Sequence, residues 1–386
     1  MPFDPAAATA ALVDGLGPEV LERAASYTAG NHWLLLWNLL VAGLVAWLVI
    51  RLGLLDRVAK RIGPRRPNLK VFLVSATWFL GATLLSLPWD AWADWWRETA
   101  YGRTSQPLAD WLVQGAIGPA VAMLLGSLFM VALYALMRRA GRRWWAWTGG
   151  LVAAAITLLL LVSPVLIEPL FNDFQPLPEG DVRTALESHA IAAGVPTERI
   201  FVYDGSRQSN NFTANVSGVF GSARIAISDV ALKGADLAEV EAVTGHEIGH
   251  YVLGHVWRRV FLFAALAVVA FFLVDRFYPW FASRFGTDAT ISDPRGLPVL
   301  LFMLSVVGLL MMPLTNGISR LGEIEADRYS LETVNRPDAL ASALLQTADY
   351  RDPRPHPVQE FLFYTHPSVE RRVMAAMEWK ATHAAR

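Results

Sequence analysis

Two histidines and a glutamate lie close together near the middle of this chain, in a pattern that could hold a metal ion. His246 and His250 are four residues apart, and Glu247 directly follows the first of them. On a helix, residues i and i+4 share one face, so both imidazoles can bind the same ion. Glu247 would then lie beside the ion, where its carboxylate can accept a proton from water. This H-E-x-x-H spacing is typical of zinc peptidase chemistry, and it predicts Glu247 as the general base.

A third ligand is needed, because a catalytic zinc ion has three protein ligands and one open position. The later part of the chain offers three acidic candidates, Glu323, Glu325 and Asp327. His250 precedes one apolar segment by ten residues, or ~15 Å of helix, and Glu323 follows another by nine, or ~14 Å. If those segments are antiparallel helices, their helical extensions bring the acids to the histidines. Spacing alone does not choose among the three, since Glu323 and Asp327 share a face.

The composition indicates a membrane protein. Of the 386 residues, 54% are hydrophobic and only 17% are charged, whereas a soluble chain carries about a quarter charged residues. The net charge is -1 and there is no long basic run, so nucleic-acid binding is not expected. The chain has no cysteine, so any zinc must be bound by His, Asp or Glu. Residues 1–30 lack the basic start and the cleavage site of a signal peptide.

Six apolar segments approach the ~20 residues needed to cross a lipid bilayer. They cover residues 33–55, 71–89, 117–137, 144–167, 260–281 and 297–314. Any one of them could be a buried core helix, but tryptophans cluster at their ends, as they do at membrane interfaces. We therefore predict a membrane region with four spans over residues 1–170. A metallopeptidase domain over residues 171–386 would include the last two spans.

The start of the second region is polar and rich in turn residues. The pattern predicts a helix over 181–193 and two strands, over 199–203 and 223–228. A further helix begins near Asp236 and carries the histidine motif, and the chain after the sixth span is predicted to be helical, with a break at 352–357. The predicted fold class is mainly α: a polytopic helical bundle with a small α+β, zincin-like domain.

The histidine motif and the later acidic segment together resemble a known family. The segment reads Ser319-Arg320-x-x-Glu323-x-x-Ala326-Asp327, and with the first motif it resembles the type I CAAX prenyl proteases and their HtpX-like bacterial relatives. These are integral-membrane zinc metallopeptidases. Further matches cover most of the chain, from about residue 20 to 380, and include Glu168–Asn172, Phe201–Ser206, Ser209–Phe212 and Thr365–Ser368 with Arg371.

The resemblance implies roles for the metal-binding residues. It makes Glu323 the third ligand of one zinc ion, beside His246 and His250. Asp327 would contact a ligand imidazole from outside and fix its tautomer. Glu247 would take a proton from the zinc-activated water and pass it to the leaving amine. His255 lies about 140° around the helix from His250 and is predicted to be structural.

The resemblance also implies residues that handle the peptide. His366 is the candidate donor to the peptide carbonyl, although a histidine before a proline could merely cap a helix. Arg320 or Arg371 would share that task or brace the site. The polar run with Asn210, Asn211 and Asn215 would be an exposed edge strand, to which a polypeptide substrate could add by main-chain hydrogen bonds.

The side of the membrane on which the site lies is predicted differently by charge and by family. Basic residues cluster in the loops 56–70 and 138–143, which alternation places on one side. The positive-inside rule makes that side cytoplasmic, so the peptidase domain would face the periplasm of a bacterial inner membrane. The eukaryotic members of the family imply the cytosolic side instead.

The substrate is predicted from composition. A chain rich in Ala, Leu, Arg and Trp without cysteine is typical of bacteria, which favours unfolded or membrane-associated polypeptides as substrates. The alternatives are processing of prenylated C-termini, as in the eukaryotic family members, and a non-hydrolytic scaffold or transporter that retains the fold. The sequence does not indicate an oligomeric state.

Overall fold

The computed structural model describes residues 3–63, 65–194, 197–211, 213–219 and 222–383. The helices of the first part are α1 (Pro5–Asp14), α2 (Pro18–Arg51), α3 (Leu54–Ile62), α4 (Pro67–Asp90), α5 (Arg97–Ala100), α6 (Leu108–Gly115), α7 (Ile117–Ala140) and α8 (Trp144–Val162). Those of the second part are α9 (Asp181–Ala192), α10 (Asp229–Gly234), α11 (Leu237–Val252), α12 (His255–Phe285), α13 (Leu297–Thr333), α14 (Pro337–Gln346), α15 (Pro357–Phe363) and α16 (Val369–His383).

Long apolar helices form the membrane region, as the sequence predicts. Five helical stretches of the described chain are long and apolar enough to cross a bilayer, and one of them, Leu108–Leu170, is 63 residues long and contains both α7 and α8. The predicted spans thus correspond to α2, α4, α7, α8, α12 and α13. Many large apolar side chains on these helices stay exposed, such as Leu84 at 61% and Leu310 at 75%. A surface of that kind is expected where lipid is the solvent.

The membrane helices pack around a shared apolar core. Val74 of α4, Leu133 of α7 and Leu300 of α13 are fully buried in it, together with Val49 of α2 and Val274 of α12. These helices are therefore held as one bundle, from which α12 and α13 continue to the peptidase domain.

A four-stranded sheet forms the β part of the peptidase domain. Its strands are β1 (Phe174–Pro176), β2 (Ile200–Tyr203), β3 (Ala214–Ser217) and β4 (Arg224–Ser228), in the order β1-β2-β4-β3. β2 and β4 are parallel, and the two outer pairs are antiparallel. One face of the sheet and the helices α9 and α11 bury a common cluster that includes Ile225, Ile227, Val240 and Ile248. The predicted small α+β domain is confirmed.

The predicted edge strand is present but begins later than expected. β3 is an edge of the sheet and starts at Ala214, so Asn210 and Asn211 precede it. The reason is a competing contact: the Asn210 amide donates to the Arg103 carbonyl at 3.0 Å, in the loop between α5 and α6. That bond directs the main chain at Asn210 toward the membrane region instead of β4.

The helix of the histidine motif is not a continuation of the fifth span, and this part of the prediction is wrong. α11 ends at Val252, and α12 begins only at His255. Between them Gly254 has a φ of +68°, a left-handed conformation that ends a helix and that glycine adopts without strain. By contrast α13 runs unbroken for 37 residues from the membrane to the acidic segment, as predicted.

Two loops show which end of the bundle carries the peptidase domain. The stretch between α4 and α7 contacts that domain, with Thr104 Oγ1 donating to the Gln208 carbonyl at 2.9 Å and Arg207 paired with Asp110 at 2.9 Å. At the other end, Arg295 between α12 and α13 pairs with Asp56 of the basic loop at 2.9 Å. The basic loop between α2 and α4 is therefore at the end opposite the peptidase domain.

Candidate active site

The helix α11 is started by a capping box and packs closely against α13. The Asp236 carboxylate accepts from the Glu239 amide at 2.8 Å, and the Glu239 carboxylate accepts from the Asp236 amide at 3.1 Å. A Cβ on Gly245 would come within 2.5 Å of Val334 Cγ2, directly after α13, and within 3.1 Å of Ser330 Oγ on α13. Because Gly245 has no side chain, α11 and α13 can pack closely enough for Glu323 to lie beside His246 and His250.

His246, His250 and Glu323 form a compact cluster between these two helices. The two Nε2 atoms of the histidines are 3.1 Å apart. Glu323 Oε2 lies 3.2 Å from His246 Nε2, and Oε1 lies 3.3 Å from His250 Nε2. One ligand atom from each residue falls within 4.8 Å of the others. Two nitrogen atoms and two carboxylate oxygens thus meet at one buried point. Such a group of electron-pair donors is stabilised by a bound cation.

A buried ion pair holds His246 from behind. Its Nδ1 lies 2.8 Å from Asp327, and Arg372 contacts both oxygens of that carboxylate at 2.6 and 2.7 Å. Burial lowers the pKa of His246, but the carboxylates of Asp327 and Glu323 outweigh it and raise the pKa to about 9. The protonated ring donates Nδ1–H to Asp327, and a cation that displaces the Nε2 proton would leave the Nε2 lone pair facing the cluster. The expected contact of Asp327 with an imidazole of the cluster is present, whereas the contribution of Arg372 was not predicted from the sequence.

A second chain of contacts holds His250. Its Nδ1 lies 2.7 Å from Nδ1 of His255, whose Nε2 lies 2.8 Å from Glu325. Arg258 in turn donates to Glu325 at 2.6 Å. If His255 Nε2–H donates to Glu325, its Nδ1 accepts from His250, and His250 Nε2 is free for a metal. From the sequence, His255 is predicted to be structural and Glu325 is a possible ligand. The left-handed turn at Gly254 places His255 behind His250, and Glu325 reaches His255 from α13.

Glu247 lines a cavity of about 290 Å³ beside the cluster. The side chain is half-buried, and desolvation raises the pKa of its carboxyl group above the usual range despite the opposing positive charge of the two histidines. A carboxylate with a raised pKa is a better proton acceptor than an exposed one. The geometry therefore suits Glu247 for the general base that its place in the sequence predicts.

His366 reaches the same cavity from the C-terminal segment. Its Nε2 lies 3.3 Å from Glu323 Oε2, and its Nδ1 lies 2.8 Å from Thr365 Oγ1. Burial, together with the positive charge of Arg351, lowers the pKa of His366 to about 3. The imidazole is therefore neutral at ordinary pH and carries one N–H. The helix that follows begins at Val369, three residues further along.

Arg320 and Arg371 brace the chain that leads to His366. Arg320 donates to the carbonyl of Glu360 at 2.9 Å and also to that of Tyr364. Arg371 donates to the Glu360 carboxylate at 2.9 Å. Of the two tasks expected for them, sharing in donation or bracing, these contacts correspond to bracing.

The three asparagines lie along one side of the site at different depths. Asn210 donates to the Gly102 carbonyl at 3.1 Å and to Ser105 Oγ at 3.2 Å, and so connects the domain to the membrane region. Asn211 lines the cavity with Glu247, and Asn215 lies within β3. The Oδ1 atoms of Asn211 and Asn215 are buried without a hydrogen bond in the described chain. Asn211 belongs to the cavity lining, whereas Asn215 does not.

Comparison with known proteins identifies the family. The model of Peptidase family M48 matches residues 176–380, more than half of the chain. The chain belongs to peptidase family M48. A second model, described as CAAX prenyl protease N-terminal with five membrane helices, matches residues 6–173. The chain is thus a multi-pass membrane protein of a zinc metalloprotease family, and the predicted resemblance and enzyme class are confirmed.

Individual M48 relatives match along most of the chain. The metalloprotease YhfN of Bacillus subtilis (strain 168) is 28% identical over 315 residues, which cover 79% of this chain and 72% of YhfN. A CAAX prenyl protease 1 homolog of Arabidopsis thaliana is 26% identical over 388 residues, covering 94% and 89%. The crystal structure of S. mikatae Ste24p superposes with a TM-score of 0.75 at 20% identity, over 93% of this chain and 88% of that one. The last match shows a shared fold.

Proposed function

We propose that His246, His250 and Glu323 bind one zinc ion and that the chain is an endopeptidase. The two histidine Nε2 atoms and the Glu323 carboxylate form a His₂Glu donor set, and each histidine has its Nδ1 engaged from behind. Glu323 Oε2 is buried without hydrogen-bond geometry to either imidazole near it. That orphaned oxygen is the observation that carries the proposal, because a cation between the three residues would satisfy it.

The zinc ion, when bound, supplies Lewis acidity that activates water and polarises the peptide carbonyl. Glu247 accepts the proton of the attacking water and returns it to the leaving amine. The neutral His366, which lines the same cavity, donates its N–H toward the carbonyl oxygen. Arg372 keeps Asp327 ionised, and Asp327 in turn keeps His246 in one orientation.

The cavity is open to a peptide along β3. This strand is an edge of the sheet, and Ala214, Thr213 and Asn211 at its start line the cavity together with Glu247. An extended polypeptide can pair with the free side of β3 through main-chain hydrogen bonds, which do not depend on sequence. This geometry supports broad recognition of extended chains as substrates.

Unfolded or membrane-associated polypeptides of a bacterial inner membrane are the proposed substrates. Similarity to a Bacillus metalloprotease supports a bacterial setting. Prenylated C-termini are the second candidate, because several relatives are named CAAX prenyl protease 1. Cleavage of farnesylated peptides compared with the same peptides unmodified and with unfolded casein separates the two. Strict dependence on the lipid would replace the first proposal by the second.

The decisive test of the function uses Glu247→Gln, which keeps the shape of the side chain but removes the base. We expect the purified variant to keep its zinc, since Glu247 is not in the ligand set, and to lose about 10²-fold to 10⁴-fold in casein hydrolysis. The parent protein treated with a chelator and reloaded with zinc is the matched control. Equal hydrolysis by parent and variant would remove Glu247 from its role, and a zinc-loaded parent without any hydrolysis would favour a non-hydrolytic scaffold.

A further inference from the structure

One cation that lines the active-site cavity has no carboxylate partner. Two arginines face this cavity, Arg351 and Arg372. Arg372 forms a bidentate pair with Asp327 at 2.6 and 2.7 Å. Within the residues that the structure describes, Arg351 makes neither a hydrogen bond nor an ion pair, and its contact is with an aromatic ring. A positive charge thus lines the cavity without a direct ion pair, and the Glu323 carboxylate of the same cavity acts on it only at longer range.

The surroundings of Arg351 destabilise its positive charge when no anion is bound. Burial lowers the pKa of Arg351, because little water reaches its guanidinium. The Arg351 guanidinium lies 5.8 Å from the centre of the Tyr350 ring, and Arg103 from the α5–α6 loop lies 4.4 Å from the same ring. Arg103 has a carboxylate partner in Asp349 at 4.0 Å, whereas Arg351 has none in the described chain. An anion that enters the cavity would gain a strong, partly desolvated partner.

The wall next to this cation is apolar. Val243 of α11 and Leu340, Ala343 and Leu344 of α14 line the same cavity as Arg351. An apolar side chain can pack against them while a neighbouring anionic group reaches the guanidinium. The cavity thus fits a peptide that combines an apolar residue with a carboxylate near the bond to be cut.

Building on the proposed peptidase function, we propose that Arg351 binds a carboxylate of the polypeptide substrate. Arg351 and Glu247 line one cavity of about 290 Å³, so the carboxylate must lie within a few residues of the scissile bond. The planar guanidinium can hold it by two parallel hydrogen bonds. A free C-terminus and an Asp or Glu side chain supply the same chemistry. Arg351 thereby selects where in a chain the enzyme cuts.

The test compares matched peptides that differ in one charge. Bonds cut in unfolded casein are first mapped by mass spectrometry, and peptides around one bond are made. In one arm the peptide ends one, two or three residues beyond the bond, as free acid or as amide. In the other arm amidated peptides carry Asp or Asn at those positions. The zinc-loaded full chain, Arg351→Gln and Arg351→Lys are each assayed for kcat/KM.

We expect the parent protein to prefer the charged member of at least one pair by about tenfold or more, as for a hydrogen-bonded charge pair. Arg351→Gln should lose this preference by slowing only the charged peptide, and Arg351→Lys should retain part of it. The arm that shows the preference identifies the source of the carboxylate. Arg328→Gln is the control, since Arg328 is 75% exposed and pairs with Glu332 on the protein surface; it should keep the parent's preference.

Two results would overturn the assignment of Arg351. One is a parent that cuts every charged and uncharged pair equally. The other is an Arg351→Gln protein that keeps its zinc and its thermal stability but slows all peptides alike, which would indicate a general catalytic role. Both results require hydrolysis that Glu247→Gln abolishes, so they leave the proposed function intact. Absence of any Glu247-dependent hydrolysis would overturn the function and the assignment together.

Discussion

At the scale of single residues, the His-His-Glu cluster was predictable from the sequence, but the residues that support it were not. His246, Glu247 and His250 follow from spacing on one helix, and the family resemblance selected Glu323 among three acids. Arg372 and His255 could not be found that way, because their contacts depend on where separate segments meet. The only sequence feature that points to His255 is Gly254 directly before it. The left-handed turn at Gly254 places the His255 ring against His250.

Removal of the His255 side chain should weaken metal binding. His255 Nδ1 lies 2.7 Å from His250 Nδ1, and this contact fixes the ring that would present Nε2 to the metal. We expect His255→Phe to lower zinc affinity by about 10-fold to 100-fold, as for other partners of metal-bound histidines. Competition with a chromogenic chelator measures this directly, without reference to activity.

The control for this experiment is His356→Gln. His356 caps α15, where its Nδ1 accepts from the Val358 amide at 3.2 Å, and it is remote from the ligand set. Its zinc affinity should equal that of the parent. If His255→Phe binds zinc as tightly as His356→Gln does, the contact between the two histidine rings has no part in metal binding.

At the scale of elements, periodicity and apolar length found the helices but not their junctions. The predicted spans and strands are present, and the predicted start of the motif helix near Asp236 is confirmed. The break at Gly254 was not foreseen, because an apolar run and a helical motif on its two sides look continuous in sequence. The predicted start of β3 was too early, because polar residues such as Asn210 fit a loop as well as a strand. At Asn210 the hydrogen bond to the distant Arg103 carbonyl favours the loop.

The packing of α11 on α13 predicts a strong effect at Gly245. A Cβ there would lie 2.5 Å from Val334 Cγ2 and 3.1 Å from Ser330 Oγ. Alanine favours a helix over glycine by about 1 kcal/mol, but overpacking costs about 1–3 kcal/mol. We expect Gly245→Ala to lower the midpoint of thermal unfolding and to release zinc more readily, because Glu323 on α13 moves away from the histidines.

Gly308→Ala on α13 is the matched control. A Cβ at Gly308 would meet nothing within 4 Å, so the midpoint of unfolding should stay constant or rise. Thermal scans of both variants in the same detergent, with zinc content measured in parallel, compare the two sites. A Gly245→Ala protein that is as stable as Gly308→Ala would show that the helices adjust without loss.

At the scale of the whole molecule, orientation follows from the arrangement of loops. The basic stretch between α2 and α4 and the turn Gly141–Arg143 between α7 and α8 belong to the end away from the peptidase domain. The positive-inside rule makes that end cytoplasmic. We therefore propose that the active site faces the periplasm, as the charge pattern predicts, and not the cytosolic side that the eukaryotic family members imply.

The absence of cysteine makes this orientation directly testable. A single cysteine at Glu179, which is 87% exposed in the peptidase domain, should react with a membrane-impermeant maleimide in intact spheroplasts. A single cysteine at Arg142, in the turn between α7 and α8, should react only after the membrane is opened. The reverse pattern would place the active site in the cytoplasm.

The two helices that carry the metal ligands are joined to the membrane in different ways. α13 is unbroken from residue 297 to 333, while Gly254 separates α11 from its membrane helix α12. A thinner or thicker bilayer tilts spanning helices. A tilt of α13 would move Glu323 with it, because both belong to one helix. A tilt of α12 would move His250 less, because the turn at Gly254 separates the two helices. The acyl-chain length of the host membrane thereby becomes a determinant of how well the two halves of the catalytic centre align.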